Sequence, residues 1–187
     1  MSGRDSRLLS GDRPGQIKNQ VRFAGNKTMN KQALIEKIRI LPDQIKALVN
    51  NLSDTDLTTH FLMKEDGTPE WTVAQNVHHL ADSHMNSYIG FKMLLSENHP
   101  TILAYDEDAW ATHPESKSAD IAASLTLLQS LHERWAMMFK NLSEDQWKRT
   151  GHHPTGGDFS LEDQFKSYVQ HGEDHVDQIR RTLAARD

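Results

Sequence analysis

Residues 161–183 read LEDQFKSYVQHGEDHVDQIRRTL, and within them Leu161, Phe165, Val169, Gly172, Val176, Ile179 and Leu183 recur every three or four positions. That period places them on one face of an amphipathic helix. Ser160, with Asp163 three residues on, supplies a capping arrangement at its start, and the helix is expected to run to about residue 185. Gly172 in the stripe permits close approach of another helix, at a cost of about 1 kcal/mol in helix propensity. On the shoulder of the stripe, beside Tyr168, lie His171 and His175. Residues four apart stand one turn apart on the same face, so their imidazoles can approach one cation. A third histidine from a facing helix would complete a tripod with positions left open for water or substrate. The spacing alone is weak, because 11 histidines in 187 residues produce about 0.6 such pairs by chance.

Three further helices are legible upstream. Leu34, Ile38, Leu41, Ile45 and Leu48 define one from about residue 30 to 50, their phase unbroken across Pro42, so a single kinked helix is expected. Val73, Val77, Leu80, His84, Tyr88, Phe91 and Leu95 define a second from about 72 to 97. Ile121, Leu125, Leu128, Leu131, Trp135 and Met138 define a third ending near 141, with Ser118 or Asp120 as its cap. Between the second and third runs NHPTILAYDEDAWATHPESKS, a connection long enough to cover a site. The segment HHPTGGD breaks the chain before the last helix. NNLSDTDL at 50–57 and KNLSEDQW at 140–147 echo each other at a period of 90 residues, as two similar helix-loop-helix halves would. The pattern predicts an all-α four-helix bundle over residues 29–187, preceded by a flexible N-terminal arm, residues 1–28, without periodicity.

Composition narrows the function. A net charge of −5 with scattered Lys and Arg disfavours nucleic acid. No apolar run approaches a membrane span, and the N-terminus lacks the apolar core of a secretory signal, so a cytoplasmic protein is expected. The absence of cysteine removes thiolate ligands and a cysteine nucleophile, and any thiol chemistry needs a thiol brought in as co-substrate.

The second helix carries His78, His79 and His84. His84 lies on the apolar stripe, where a histidine is more often a hydrogen-bonded core residue than a ligand. His79 shares its side with Gln75, Asp82, Ser83 and Asn86, which is either a solvated face or the polar wall of a groove in which Asp82 orients the imidazole. Between them the helical wheel leans towards His84.

The run EWTVAQNVHHLADSHMNSYIGFK, followed by YDEDAW, LLQSLHERW and YVQHGEDH, resembles the YfiT-type branch of the DinB-like superfamily of metal-binding four-helix proteins. The match spans roughly residues 31 to 185. Carried across, the family's metal ligands are His79, His171 and His175, so the resemblance selects His79. Relatives are often richer in histidine where Gly172, Glu173 and Asp174 stand here, and have Gly before the Trp where this chain has Glu70.

What the resemblance implies is a metal-dependent hydrolase acting on a small molecule. The alternatives are a thiol S-transferase of the bacillithiol-transferase type, using a low-molecular-weight thiol, and a non-catalytic metal-binding module. A homodimer is also implied. One device serves both reactions: a divalent ion held by three imidazoles lowers the pKa of bound water towards 7, or ionises an incoming thiol. Zn2+ is the default for such a site and Ni2+ also suits imidazole. Glu173 follows His171 by two residues, about 160° round the helix, and cannot act as the base of a zincin HExxH motif. No general base is assigned; Asp106, Glu107 and Asp108 in the long connection are candidates by location alone.

Overall fold

A computed structural model describes residues 30–186; the predicted N-terminal arm lies outside them. Four long helices carry the fold: α1 (Lys31–Val49), α3 (Val73–Ser96), α5 (Ala122–Lys140) and α7 (Leu161–Ala184). The short helices α2 (Asp54–Thr58), α4 (Glu107–Trp110) and α6 (Glu144–Trp147) and a 3₁₀ turn (Glu115–Lys117) lie in the connections. None of the described helices is long and apolar enough to cross a membrane.

The ends of the helices follow from their caps. Asn30 accepts from the amides of Gln32 and Ala33, while Thr72 and Gln75, and Ser160 and Asp163, close reciprocal capping boxes. The echoed segments fold alike. Ser53 with Asp56, and Ser143 with Gln146, each cap a short helix directly after a long one. The start of α5 departs from expectation: its N-cap position is Ile121, which has no side chain to accept. Asp120 Oδ1 instead accepts from the Ala122 amide at 3.3 Å, and Ser118 supports Asp120 rather than the helix.

α1 packs against α5 and α7, and α3 packs against the same two, so the order round the bundle is α1, α5, α3, α7. Two apolar clusters give the directions. One joins Leu34 and Ile38 near the start of α1 to Phe91, Leu94, Trp135, Phe139, Phe165 and Val169. The other joins Leu41 and Ile45 to Val73, Val77, Leu80, Leu128, Val176 and Ile179. α1 and α7 therefore run one way, and α3 and α5 the other. Parallel neighbours cannot be joined by a tight turn. The long connection from α3 to α5 must return along the whole bundle, and its α4 and 3₁₀ turn pack against α3 on the way.

Between the clusters the core turns polar. His84 and His132 are both fully buried, and His171 is half-buried beside Gly172. At Gly172, α7 comes close to α1: a Cβ there would stand 2.4 Å from Leu41 Cδ2 and 3.3 Å from Cδ1. Leu41 is buried and has little room to yield. Gly172→Ala is expected to lower stability by on the order of 1 kcal/mol, because overpacking of about 1–3 kcal/mol outweighs the helix-propensity gain of about 1 kcal/mol. A fall in the urea midpoint checks this, and an unchanged or raised midpoint contradicts it.

The segment HHPTGGD is more ordered than a simple break. β1 (Thr150–His153) pairs antiparallel with β2 (Gly157–Ser160), with Gly151 opposite Phe159 and Gly157 at φ +76° closing the turn. Phe159 is buried against the first apolar cluster. The Ile102 amide donates to the His152 carbonyl at 3.0 Å, and the His152 amide to the Pro100 carbonyl at 2.9 Å, so the hairpin is tied to the α3–α5 connection.

Candidate metal centre

α3 and α7 face each other across the polar layer and bring His79, His171 and His175 together. His79 Nε2 is 3.2 Å from His171 Nε2, which is 3.1 Å from His175 Nε2. Nitrogens each about 2.0–2.1 Å from one tetrahedral zinc ion stand roughly 3.3 Å apart, so the spacing fits a shared cation.

The orientation of His175 is determined by the end of α3. Asn76 Nδ2 donates to the Thr72 carbonyl at 2.9 Å, so its Oδ1 faces the other way and accepts from His175 Nδ1 at 2.8 Å. With the proton on Nδ1, Nε2 is left as a bare donor towards the site. His171 Nδ1 is 3.1 Å from His84 Nε2. Trp71 walls the group, stacked on His175 with ring centroids 6.2 Å apart and inclined to His79 at 4.7 Å.

All three imidazoles are kept in the neutral, metal-binding form. Burial, reinforced by His175, pushes His79 down to about 3; burial pushes His175 down to about 4; burial, with neighbouring histidines, holds His171 well below the ordinary value. Neutral nitrogen donors held close together suit a divalent transition ion and poorly suit Mg2+ or Ca2+. The residues fit the ion that the resemblance implies.

Several neighbours are placed elsewhere. His78 Nδ1 is 2.8 Å from Ser124 Oγ and its Nε2 3.0 Å from the Ser118 carbonyl, so it joins α3 to the start of α5. His84 contacts His132 and His171 instead of the centre of the trio. Asp82 does not orient His79. Burial raises its pKa, and the charges that act on it are those of Glu115, His78 and His113 on the other side of α3. Glu173 is paired with Lys37 at 2.6 Å. Asp106 caps α4 through the Ala109 amide, while Glu107 is near enough to help raise the pKa of Tyr105 and Tyr168. A hollow of about 250 Å³ lined by Lys46, Leu57, Asp120 and Leu125 shares no residue with the centre.

His132 is the participant that periodicity missed. It lies on the α5 stripe, four residues after Leu128 and three before Trp135, and a polar residue on an apolar stripe is the signal that could have found it.

The chain is similar to proteins already described. Residues 37–179 match the family model described as the DinB superfamily. A protein of Bacillus subtilis (strain 168) named "Putative metal-dependent hydrolase YfiT" is 43% identical over 150 residues, covering 80% of this chain and 82% of that protein. A "Putative metal-dependent hydrolase" of Halalkalibacterium halodurans is 36% identical over 152 residues, 81% of this chain and 85% of its own. The solved structure of Bacillus subtilis YfiT, titled "a probable metal-dependent hydrolase with an unusual four-helix bundle topology", matches with a TM-score of 0.78 at 40% identity, covering 86% of this chain and 91% of that one. Bundle, histidine trio and sequence agree, and the chain belongs to the DinB superfamily.

Proposed function

We propose that the protein is a metal-dependent hydrolase of a small molecule, with His79, His171 and His175 holding the ion. The observation that carries this reading is the convergence of three neutral imidazoles, with His79 Nε2 and His175 Nε2 at 3.2 and 3.1 Å from His171 Nε2 and the three donor atoms within 4.8 Å of one another. The names of the relatives support it. A divalent ion in such a cage supplies Lewis acidity and makes water a nucleophile at neutral pH, and Zn2+ or Ni2+ suits the donors. The protein's own part is to orient the donors through Asn76 and His84 and to shield them with Trp71. Beside His171, Tyr168 presents its ring 5.5 Å away.

The test is a panel of small esters and amides, assayed with metal-loaded protein, with protein stripped by a chelator, and after restoring one equivalent of Zn2+ or Ni2+. Turnover should disappear on stripping and return on reloading. Equal rates in the stripped and loaded forms would count against the proposal. Chelator-sensitive conjugation of a small thiol, without hydrolysis, would replace the hydrolase with the transferase.

A further inference from the structure

Behind the three convergent nitrogens, a file of histidines runs through the core. His171 Nδ1 is 3.1 Å from His84 Nε2, His84 Nδ1 is 2.8 Å from His132 Nε2, and His132 Nδ1 is 2.6 Å from the carbonyl oxygen of Ile38. The last contact determines the direction of all the others. A carbonyl oxygen only accepts, so His132 carries its proton on Nδ1 and presents a bare Nε2. His84 must then donate from Nδ1 and keep Nε2 bare. His171 in turn donates from Nδ1, and its bare Nε2 is the atom turned to His79 and His175.

The free carbonyl has a cause in the sequence. In an α-helix the oxygen of Ile38 would accept from the amide of residue 42, and residue 42 is a proline, which has no N–H. Pro42 leaves the oxygen without its helical donor, and His132 supplies one from α5. The file then touches each long helix once, α1, α5, α3 and α7, in the order in which they pack.

We infer that the Ile38 carbonyl released by Pro42, together with His132 and His84, forms a positioning relay that sets the tautomer and orientation of the metal ligand His171. His84 and His132 touch neither ion nor substrate in this arrangement; they act through His171. The inference rests on the trio being a metal centre and adds to it. Because Asn76 places the His175 proton on Nδ1, the 3.1 Å approach of His171 and His175 brings two bare lone pairs together, and a shared cation is what relieves such a contact. Partners that orient a metal-bound histidine in this way are typically worth about 10- to 100-fold in metal affinity.

The experiment compares the full-length wild type with His132→Phe and His132→Gln. Tautomers are read from long-range imidazole proton–nitrogen correlation spectra of the metal-free proteins, and zinc affinity by competition with a chromophoric chelator. In the wild type, His132, His84 and His171 should each be protonated on Nδ1. His132→Phe removes the acceptor for His84 and should weaken zinc binding by about 10- to 100-fold. His132→Gln, whose amide can accept from His84 and donate to Ile38, should recover most of that loss. A wild-type His171 protonated on Nε2, or zinc affinity unchanged in His132→Phe, would overturn the relay while leaving the metal centre intact. A wild type that binds no zinc overturns the metal reading and the relay with it. Should His132→Phe not fold, the wild-type tautomers and the affinity of His132→Gln decide.

Discussion

His171→Ala should leave the protein with less than about one-third of an equivalent of divalent metal after supplementation, and without chelator-sensitive turnover. His171 Nε2 is the atom common to both short contacts of the trio, so its loss leaves two donors from different helices with nothing between them. Removing a ligand should cost more than the roughly 10- to 100-fold in affinity expected when only an orienting partner is lost. His78→Ala is the control. That histidine is on the same helix as His79 but is engaged by Ser124 and Ser118, so its variant should keep a full equivalent. Elemental analysis of both variants decides, and stoichiometric metal in His171→Ala would remove the basis of the proposed site.

The second large effect is acid sensitivity of the metal-free protein. Burial, aided by neighbouring histidines, pushes His79 down to about 3 and His84 and His171 well below the ordinary value, and burial takes His132 and His175 down to about 4. In the unfolded chain each titrates near 6.5. Below that pH the unfolded state binds more protons than the folded one. The stability these groups contribute is therefore complete above about pH 6.5 and is lost as pH falls towards the folded values. Each such histidine costs roughly 1 kcal/mol or more per pH unit in that window. Together they can exhaust a typical stability of about 5–15 kcal/mol within one to three units. Far-ultraviolet dichroism of the stripped protein should show cooperative unfolding beginning between about pH 6 and 5, and bound zinc should move it lower. Retention of the fold at pH 4 without metal would contradict the assignment of these five imidazoles as neutral in the fold.

The long helices were legible because each buries a continuous stripe, and the family resemblance selected the three histidines that the fold brings together. Wheel geometry alone favoured His84 over His79 for a physical reason. A wheel assumes that one face of a helix meets solvent, yet the first turns of α3, from Val73 to Ala81, are buried on every side. The α3–α5 connection covers the outer face, and Gln75 ties it down by donating to the Ala111 carbonyl at 2.8 Å. A polar residue there looks solvated in the sequence and is interior in the fold. The connection was read as long enough to cover a site; that parallel α3 and α5 also require it as a return path became visible only with the helix directions. The hairpin escaped notice because four-residue strands carry little periodicity, and Phe159 is the only buried apolar side chain in either of them. The relay was hidden because its first member is a backbone oxygen, and only the proline four residues later hints that it is free.

The diagonal placement of α1 opposite α3, and of α5 opposite α7, bears on the repeated pattern at 90 residues. A fragment stopping near residue 120 would hold two long helices without the neighbours that their apolar stripes chiefly pack against, since α5 and α7 are both encoded downstream. The second half is placed alike, because α5 and α7 are also diagonal and each leans on the two helices of the first. Each half therefore lends the other its nearest neighbours, and the bundle closes only when the chain has been read to its last helix.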